Sequence, residues 1–134
     1  MYLSTKYMIN RGHTHIAFVA SYEGGLAAGK KIAAEANKIS AVATIADICA
    51  IGIMEGTRLG DLRIPVDLSI VGYDNLSLCQ FTTPKLTSVS QNISKKARVA
   101  TGLLLEKIQT DSKTPCVATL NVEIVERQSV ISLF

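Results

Sequence analysis

The sequence contains few of the residues that mark metal sites, secreted proteins or membrane proteins. It has no Trp and three Cys, namely Cys49, Cys79 and Cys116, which are widely spaced and lack both a Cys-x-x-Cys pair and neighbouring His. This pattern argues against a zinc site and favours reduced cytosolic thiols. No apolar stretch approaches the ~18 residues that would suggest a membrane span, and residues 1–7 lack the basic and apolar parts of a secretion signal. We therefore expect a cytoplasmic protein with no metal and no membrane partner.

The motifs of common enzyme classes are also missing. The sequence has no Gly-x-Ser-x-Gly elbow, no phosphate loop with Gly-Lys-Ser or Gly-Lys-Thr, and no Gly-x-Gly-x-x-Gly segment after the first predicted strand. His13 and His15 have no third ligand candidate nearby, so we interpret them as surface residues before a core strand. An enzyme that uses Asp47 and Asp74 as a carboxylate pair is an alternative without motif support. We expect no enzymatic activity, no catalytic residue and no cofactor.

The composition is that of a globular domain. Hydrophobic residues make up 48% of the 134 residues and charged residues 19%, which is enough to bury a core and too little charge for disorder. The net charge is +3, and the basic residues are scattered except for the pairs Lys30-Lys31 and Lys95-Lys96. Such pairs usually mark a solvated helix face, and no basic stripe predicts direct binding of nucleic acid.

Apolar patterns along the chain alternate between strands and helices. They predict helices over residues 2–10, 26–36 and 48–59 and from Asn92 or Ser94 onward, and strands over residues 16–20, 41–45, 68–71 and 120–124, with a short extended segment ending at Val89. This alternation predicts an α/β fold with a doubly wound parallel sheet and right-handed crossovers. The strand over 120–124 alternates apolar and polar residues, so it should lie at a sheet edge with one wet face. Gly52 and Gly56, four residues apart, predict close packing of their helix against a neighbour.

The most informative segment begins at Pro65. Proline cannot continue a helix, and the run Leu68–Val71 that follows, apolar except for Ser69, is typical of a parallel strand buried on both faces. Asp74 and Asn75 come just after this strand, at the edge of the sheet where open α/β folds bind ligands. The alternative is an ordinary turn in which the two side chains only satisfy local backbone groups.

This segment resembles a known family signature. The string Pro65-Val66-Asp67-Leu68-Ser69-Ile70-Val71-Gly72-Tyr73-Asp74-Asn75, followed by Thr83-Pro84-Lys85-Leu86-Thr87-Ser88-Val89, is similar to the effector domain of the lactose-repressor (LacI/GalR) family of bacterial transcription regulators. Residues 12–19 resemble the start of the family's second lobe, and residues 123–129 resemble its closing strand. The resemblance covers nearly the whole chain in family order. It implies that residues 1–134 form a partial, periplasmic-binding-protein-like effector domain, with the C-terminal lobe and the crossover helices.

The resemblance also implies a ligand site. Asp74 falls on the family's ligand-binding Asp, and Gln91 falls on a polar position at the crossover between lobes, although a Gln before a helix can also have a capping role. Asp47 matches its counterpart in the family's Ala-Asn-Asp-x-x-Ala-x-Gly motif, or is simply the N-cap of the next helix. The Asn that would bind the effector is Ala46 here. We therefore expect Asp74, Asp47 and Gln91 to be the ligand-binding candidates.

The chain departs from the family in length. After Ser21, the family has a helix–strand unit with an effector-binding Arg that has no counterpart here, and the first part of the N-terminal lobe and the helix-turn-helix headpiece are missing. Weak or absent ligand binding is therefore expected. The apolar faces of residues 2–10 and of Ile93, Ala97, Ala100, Leu104 and Ile108 would be uncovered, which predicts a homodimer or a strand-swapped assembly.

The expected function follows from the resemblance. The chain would be the effector-sensing and dimerisation part of a sugar-responsive transcriptional repressor of this family. Its partners would be a small-molecule effector, such as a sugar or a related metabolite, and a second copy of itself. Operator DNA would be reached only through the absent helix-turn-helix domain. The alternative is a stand-alone cytoplasmic module that binds a small molecule such as a sugar.

Overall fold

The computed structural model describes residues 2–20, 24–35, 38–110 and 114–134. In chain order the elements are α1 (Tyr2–Ile9), β1 (Ile16–Val19), α2 (Gly25–Ala34), β2 (Ala41–Thr44), α3 (Asp47–Arg58), β3 (Ser69–Tyr73), a short 3₁₀ helix (Ser77–Gln80), β4 (Thr87–Ser90), α4 (Ile93–Thr110) and β5 (Glu123–Val125). The predicted helices and strands are present with small shifts at their ends. The last residue of the predicted helix 26–36 lies outside the described residues.

The five strands form one sheet in the order β1-β2-β3-β4-β5. The first four are parallel, and β5 pairs antiparallel with β4, with Ile124 opposite Val89. The prediction of an α/β fold with a parallel sheet is therefore confirmed, with one antiparallel strand at the edge. That edge strand has Glu123 exposed and Ile124 partly buried, as its alternating pattern predicts.

Helices cover both faces of the sheet. Side chains of a strand alternate between faces, so Val42 and Ile70 pack with Ile53 of α3 on one face, and Val71 packs with Met8 of α1 on the other. These side chains are fully buried. Burial on both sides therefore explains the apolar residues of β3.

The close approach of α2 and α3 depends on glycine. A Cβ atom at Gly29 would collide with the carbonyl oxygen of Ile53, and one at Gly56 would collide with the carbonyl oxygen of Leu26. The two backbones are therefore in direct contact. The prediction that Gly52 and Gly56 permit close packing is confirmed.

Of the two helix faces expected to be uncovered, the structure covers that of α1 and leaves that of α4 exposed. The expectation is wrong for residues 2–10, because Met8 is fully buried and Leu3 and Tyr7 pack beside it on the second face of the sheet. It is confirmed for α4, which has no buried residue. Ile93, Leu104 and Ile108 of α4 are 50–68% exposed. Among the described residues, no helix is both long and apolar enough to cross a membrane.

Candidate ligand-binding site at the carboxyl edge of the sheet

The three candidate ligand residues follow three neighbouring parallel strands. Asp47 comes after β2, Asp74 after β3 and Gln91 after β4. The carboxyl ends of parallel strands meet at one edge of the sheet, where ligands bind in open α/β folds. The structure therefore brings the three predicted positions to the same edge. Their side chains, however, have different surroundings.

Asp74 and Gln91 form a pair at the surface of this edge. The Gln91 amide nitrogen Nε2 donates a hydrogen bond to Asp74 Oδ1 at 2.6 Å, and Lys96 Nζ donates to Gln91 Oε1 at 3.2 Å. Both Asp74 and Gln91 are partly exposed. Within the described part of the chain, Asp74 Oδ2 has no hydrogen-bond partner. A carboxylate oxygen in this position can accept a hydrogen bond from a hydroxyl or an N–H group of a ligand.

Asp74 lies in an unusual backbone turn. Asp74 has a φ of 105° and Asn75 a φ of 55°, in the region that residues other than glycine rarely adopt. We call residues 74–76 the Asp74 turn. Each of its three backbone N–H groups donates a hydrogen bond to a neighbouring element. Asp74 N donates to Val89 O at 2.9 Å, Asn75 N to Ser88 Oγ at 3.0 Å, and Leu76 N to Asp47 Oδ2 at 2.7 Å. The neighbouring strand and helix therefore hold the turn in place.

Asp47 is fully buried beneath this turn. Its Oδ1 accepts a hydrogen bond from the Ser88 hydroxyl at 2.6 Å, and its Oδ2 accepts the one from Leu76. The interpretation of Asp47 as an N-cap is wrong, because Ala46 occupies the N-cap position and Asp47 is the first residue of α3. The negative charge of Asp47 is still favourable there, since it lies at the positive end of the helix dipole.

Cys79 adjoins the buried carboxylate from the 3₁₀ helix. Burial, followed by the hydrogen bond to Asp47, raises the pKa of the Cys79 thiol to about 12. The thiol therefore stays protonated at neutral pH and can donate to Asp47. This contact places the 3₁₀ helix beside the start of α3.

Arg127 fixes the side chain of Asn75 from the other direction. Its Nη2 donates to Asn75 Oδ1 at 2.6 Å and its Nη1 donates to Leu86 O at 2.7 Å. Sequence reasoning did not single out Arg127 or Ser88 as part of the site. Both lie within the segments quoted for the family resemblance, but no local pattern indicates that they reach residues more than 10 positions away, as Ser88 does with Asn75 and Arg127 with Leu86.

His13 has a structural role that the sequence did not reveal. The expectation of a surface position is wrong for His13, which is 2% exposed, while His15 is exposed. The Nδ1 of His13 is 3.1 Å from Ser40 Oγ, and its Nε2 is 3.1 Å from Ile131 O. These two contacts compensate for burial of the ring and attach the C-terminal segment near β2. Within the described residues, no group of three His, Cys, Asp or Glu side chains could hold a metal ion.

Comparisons with known proteins agree with the fold described above. Residues 23–130 match the family described as periplasmic binding protein-like domain. The HTH-type transcriptional repressor PurR of Vibrio cholerae serotype O1 (strain M66-2) is 30% identical over 168 residues, a match that covers 98% of this chain and 50% of that relative. The chain thus spans about half the length of the curated relatives it matches.

Solved structures share the fold. The LacI family transcriptional regulator from Enterococcus faecium with bound ribose is 26% identical, with a TM-score of 0.84 over 99% of this chain and 62% of that chain. The complex of the transcriptional regulator CelR with cellobiose is 22% identical, with a TM-score of 0.85 over 93% of this chain and 49% of that chain. The fold thus defines a domain of the periplasmic-binding-protein type. The chain belongs to the family of periplasmic binding protein-like domains, and its resemblance to LacI-family regulators is confirmed.

Proposed function

We propose that this chain is the effector-sensing and dimerisation part of a sugar-responsive transcriptional regulator of the LacI family, and that it acts in the cytoplasm. The observation that carries this proposal is the Asp74–Gln91 pair, held at 2.6 Å where β3 and β4 end. The proposal is supported by the fold, which the chain shares with regulators bound to ribose and to cellobiose.

The chemistry of this pair suits a polyhydroxyl ligand. A buried hydroxyl needs a hydrogen-bond partner, and a carboxylate accepts more hydrogen bonds than any other side chain. In the proposed complex, Asp74 accepts from ligand hydroxyl groups through Oδ2, while Gln91 fixes the orientation of the carboxylate through Oδ1. Binding would shift the equilibrium between conformations of the intact regulator.

We propose that ligand binding is weakened in this form. The position where the family has an effector-binding Asn is Ala46, whose methyl group cannot form a hydrogen bond. The alignment with the Vibrio cholerae relative runs over 168 residues, more than the 134 residues of this chain, which supports the absence of one internal helix–strand unit. The proposed junction, just after Ser21, lies outside the described residues.

We assign contact with operator DNA to a helix-turn-helix domain that is not part of these 134 residues. Two observations support this assignment. The curated relative is named as an HTH-type repressor, and the match covers 50% of it. The basic pairs Lys30-Lys31 and Lys95-Lys96 are exposed on two different helices and form no continuous stripe in the sequence.

A homodimer is the second part of the proposal. Ile48 of α3 and Leu78 and Phe81 in and just after the 3₁₀ helix are 47%, 48% and 80% exposed. The bond from Leu76 N to Asp47 Oδ2 brings these two segments together, and we propose that the three side chains form one apolar patch. We call these three residues the α3 patch. It adjoins an open cleft of about 470 Å³ lined in part by Ile51 and Thr82. We propose that this patch pairs with the same patch of a second copy across a two-fold axis, as an isologous interface requires.

The ligand part of the proposal is tested by isothermal titration of the chain with ribose, other pentoses, hexoses and purines. Saturable binding that is lost in Asp74→Ala supports it and identifies the class of effector. Binding of equal strength in the wild type and in Asp74→Ala would place the ligand elsewhere and refute the proposed site. Circular dichroism of both proteins confirms that a lost signal is not a lost fold.

A further inference from the structure

The structure assigns Asp47 a different role from the one expected for a ligand contact. We propose that Asp47 is a positioning residue, which together with Ser88 fixes the geometry of the Asp74 turn without touching the effector. The importance of this role for ligand binding rests on the proposed function, because it requires Asp74 to be a ligand contact. The geometry of the turn can be tested without any ligand.

Both oxygens of the Asp47 carboxylate are already used inside the protein. The residue has no exposed surface, and its two oxygens accept from Ser88 Oγ at 2.6 Å and from the Leu76 N–H at 2.7 Å. A buried carboxylate is expensive unless it is paired with donors, and these two bonds provide the donors. Asp47 therefore faces the turn from below.

Asp47 also determines the direction of the Ser88 hydroxyl. A hydroxyl has one proton to donate, and a carboxylate can only accept, so the Ser88 proton must point to Asp47. The oxygen of Ser88 is then left as an acceptor, and the Asn75 N–H donates to it at 3.0 Å. One carboxylate thus fixes two successive N–H groups of the turn, directly at Leu76 and through Ser88 at Asn75.

The turn needs this support because of its backbone conformation. Asp74 and Asn75 both have positive φ angles, of 105° and 55°. Such strained conformations persist only where the surrounding structure holds them, and they cluster at ligand-binding sites. Without the bonds from Asp47 and Ser88, the turn can relax to more common φ angles, and the Asp74 carboxylate then leaves its position beside Gln91.

Gly72 provides a second, independent observation. A Cβ atom at Gly72 would collide with Oδ1 of Asp47. Strand β3 therefore has a glycine where the carboxylate crosses beneath it. A side chain at this position would displace Asp47 and with it the bond to Ser88.

The test compares four single variants of the full chain. Asp47→Asn replaces an oxygen acceptor by an NH₂ donor, and Ser88→Ala removes the linking hydroxyl. Asp74→Ala removes the proposed ligand contact itself. Ser129→Ala is the matched control, because Ser129 is also fully buried and its hydroxyl links Thr87 N to Ile70 O rather than to a residue of the Asp74 turn.

Three quantities are measured for each variant. NMR gives the amide hydrogen-exchange rates of Asn75 and Leu76 and the scalar couplings that report φ of Asp74 and Asn75. Urea unfolding gives the global stability, and titration with ribose gives the affinity. A merely structural residue would change global stability but leave the φ angles and the affinity of the folded protein unchanged.

We expect Asp47→Asn and Ser88→Ala to speed exchange at Asn75 and Leu76 by tenfold or more beyond the change in global stability, and to change φ of the turn. Ribose affinity should fall by tenfold or more in both, while Ser129→Ala should lower only the stability. Unchanged exchange and φ in Ser88→Ala would overturn the inference, and this variant decides the question if Asp47→Asn does not fold. If the wild-type chain binds no ligand, the proposed function fails, and the exchange and φ data alone decide the role of Asp47.

Discussion

Gln91 donates a hydrogen bond through Nε2 to Oδ1 of Asp74 over 2.6 Å, and this bond joins the ends of β3 and β4 at the carboxyl edge of the sheet. The two residues are 17 positions apart and are carried there by parallel neighbouring strands. One oxygen of the carboxylate is thereby fixed, and in the proposed complex the other accepts a hydrogen bond from the ligand. We therefore propose that the pair acts as a single unit in ligand recognition.

The contribution of Gln91 can be measured separately from that of Asp74. We expect Gln91→Leu to weaken effector binding by about tenfold or more, because a hydrogen bond to a charged group is worth about 1.5–3 kcal/mol and 1.4 kcal/mol corresponds to a factor of ten. Gln128→Leu is the matched control, since Gln128 accepts a hydrogen bond from Lys85 N away from the pair. Equal affinities in wild type and Gln91→Leu, measured by titration, would show that the pair does not act as a unit.

The contact between α2 and α3 makes a strong prediction for stability. Gly56→Ala should destabilise the protein by about 1–3 kcal/mol, because the added methyl group meets the backbone of α2 and forces the helices apart. Gly102→Ala in α4 is the control, since a Cβ atom there would meet nothing within 4 Å. That change should stabilise the exposed helix by about 0.5–1 kcal/mol. Urea unfolding gives the free energy of unfolding of both variants. A Gly56→Ala protein as stable as the wild type would contradict the described contact between the two helices.

The α3 patch predicts how the chain associates. We expect light scattering to show a dimer for the wild type and a monomer for Phe81→Asp, because a charge cannot be buried without a partner in an apolar interface. Phe134→Asp is the control, since Phe134 is equally exposed, at 86% compared with 80% for Phe81, but lies at the C-terminus. A wild-type monomer at micromolar concentration would refute the proposed dimer. A dimer that persists in Phe81→Asp would show that the interface is not the α3 patch but another surface, such as the exposed face of α4.

The ion pair between Arg63 and Asp67 predicts a pH dependence. The hydrogen bonds from the Arg63 side chain and then from its backbone N–H lower the pKa of Asp67 from 3.8 to about 2. A depressed carboxyl pKa contributes stability that is complete above its unfolded value and is lost as the pH falls through the folded value. The difference in urea midpoint between wild type and Asp67→Asn should therefore be constant down to about pH 4 and shrink towards about pH 2. A difference that does not change over this range would show that the pair does not stabilise the folded state.

Local patterns predicted the elements of the fold because each helix or strand buries a characteristic face. The run Leu68–Val71 is apolar except for Ser69 since both sides of β3 are covered, and Asn92 caps α4 through a bond from Lys95 N to its Oδ1 at 3.1 Å. The location of Asp74 and Gln91 could also be predicted, because residues that directly follow parallel strands must lie at one edge.

Contacts between distant parts of the chain could not be predicted in this way. The partners of Asp47 are 29 and 41 positions away, and those of His13 are 27 and 118 positions away. Nothing in the local sequence distinguishes a buried Asp at the start of a helix from an N-cap, or a buried His from a surface one. The packing of α1 against the second face of the sheet was likewise not predicted. That face must be covered by a helix, but the local sequence pattern does not show which helix covers it.

The most direct measurement is a ¹⁵N-edited NMR titration of the chain with pentoses, hexoses and purines, since NMR detects weak binding. For one class of ligand, we expect saturable shifts of the Asp74, Asn75 and Gln91 amides with an affinity in the millimolar range, and no such shifts in Asp74→Ala. Shifts that centre on other residues, shifts that persist in Asp74→Ala, or no shift with any of these ligands would contradict a retained effector site at the carboxyl edge of the sheet.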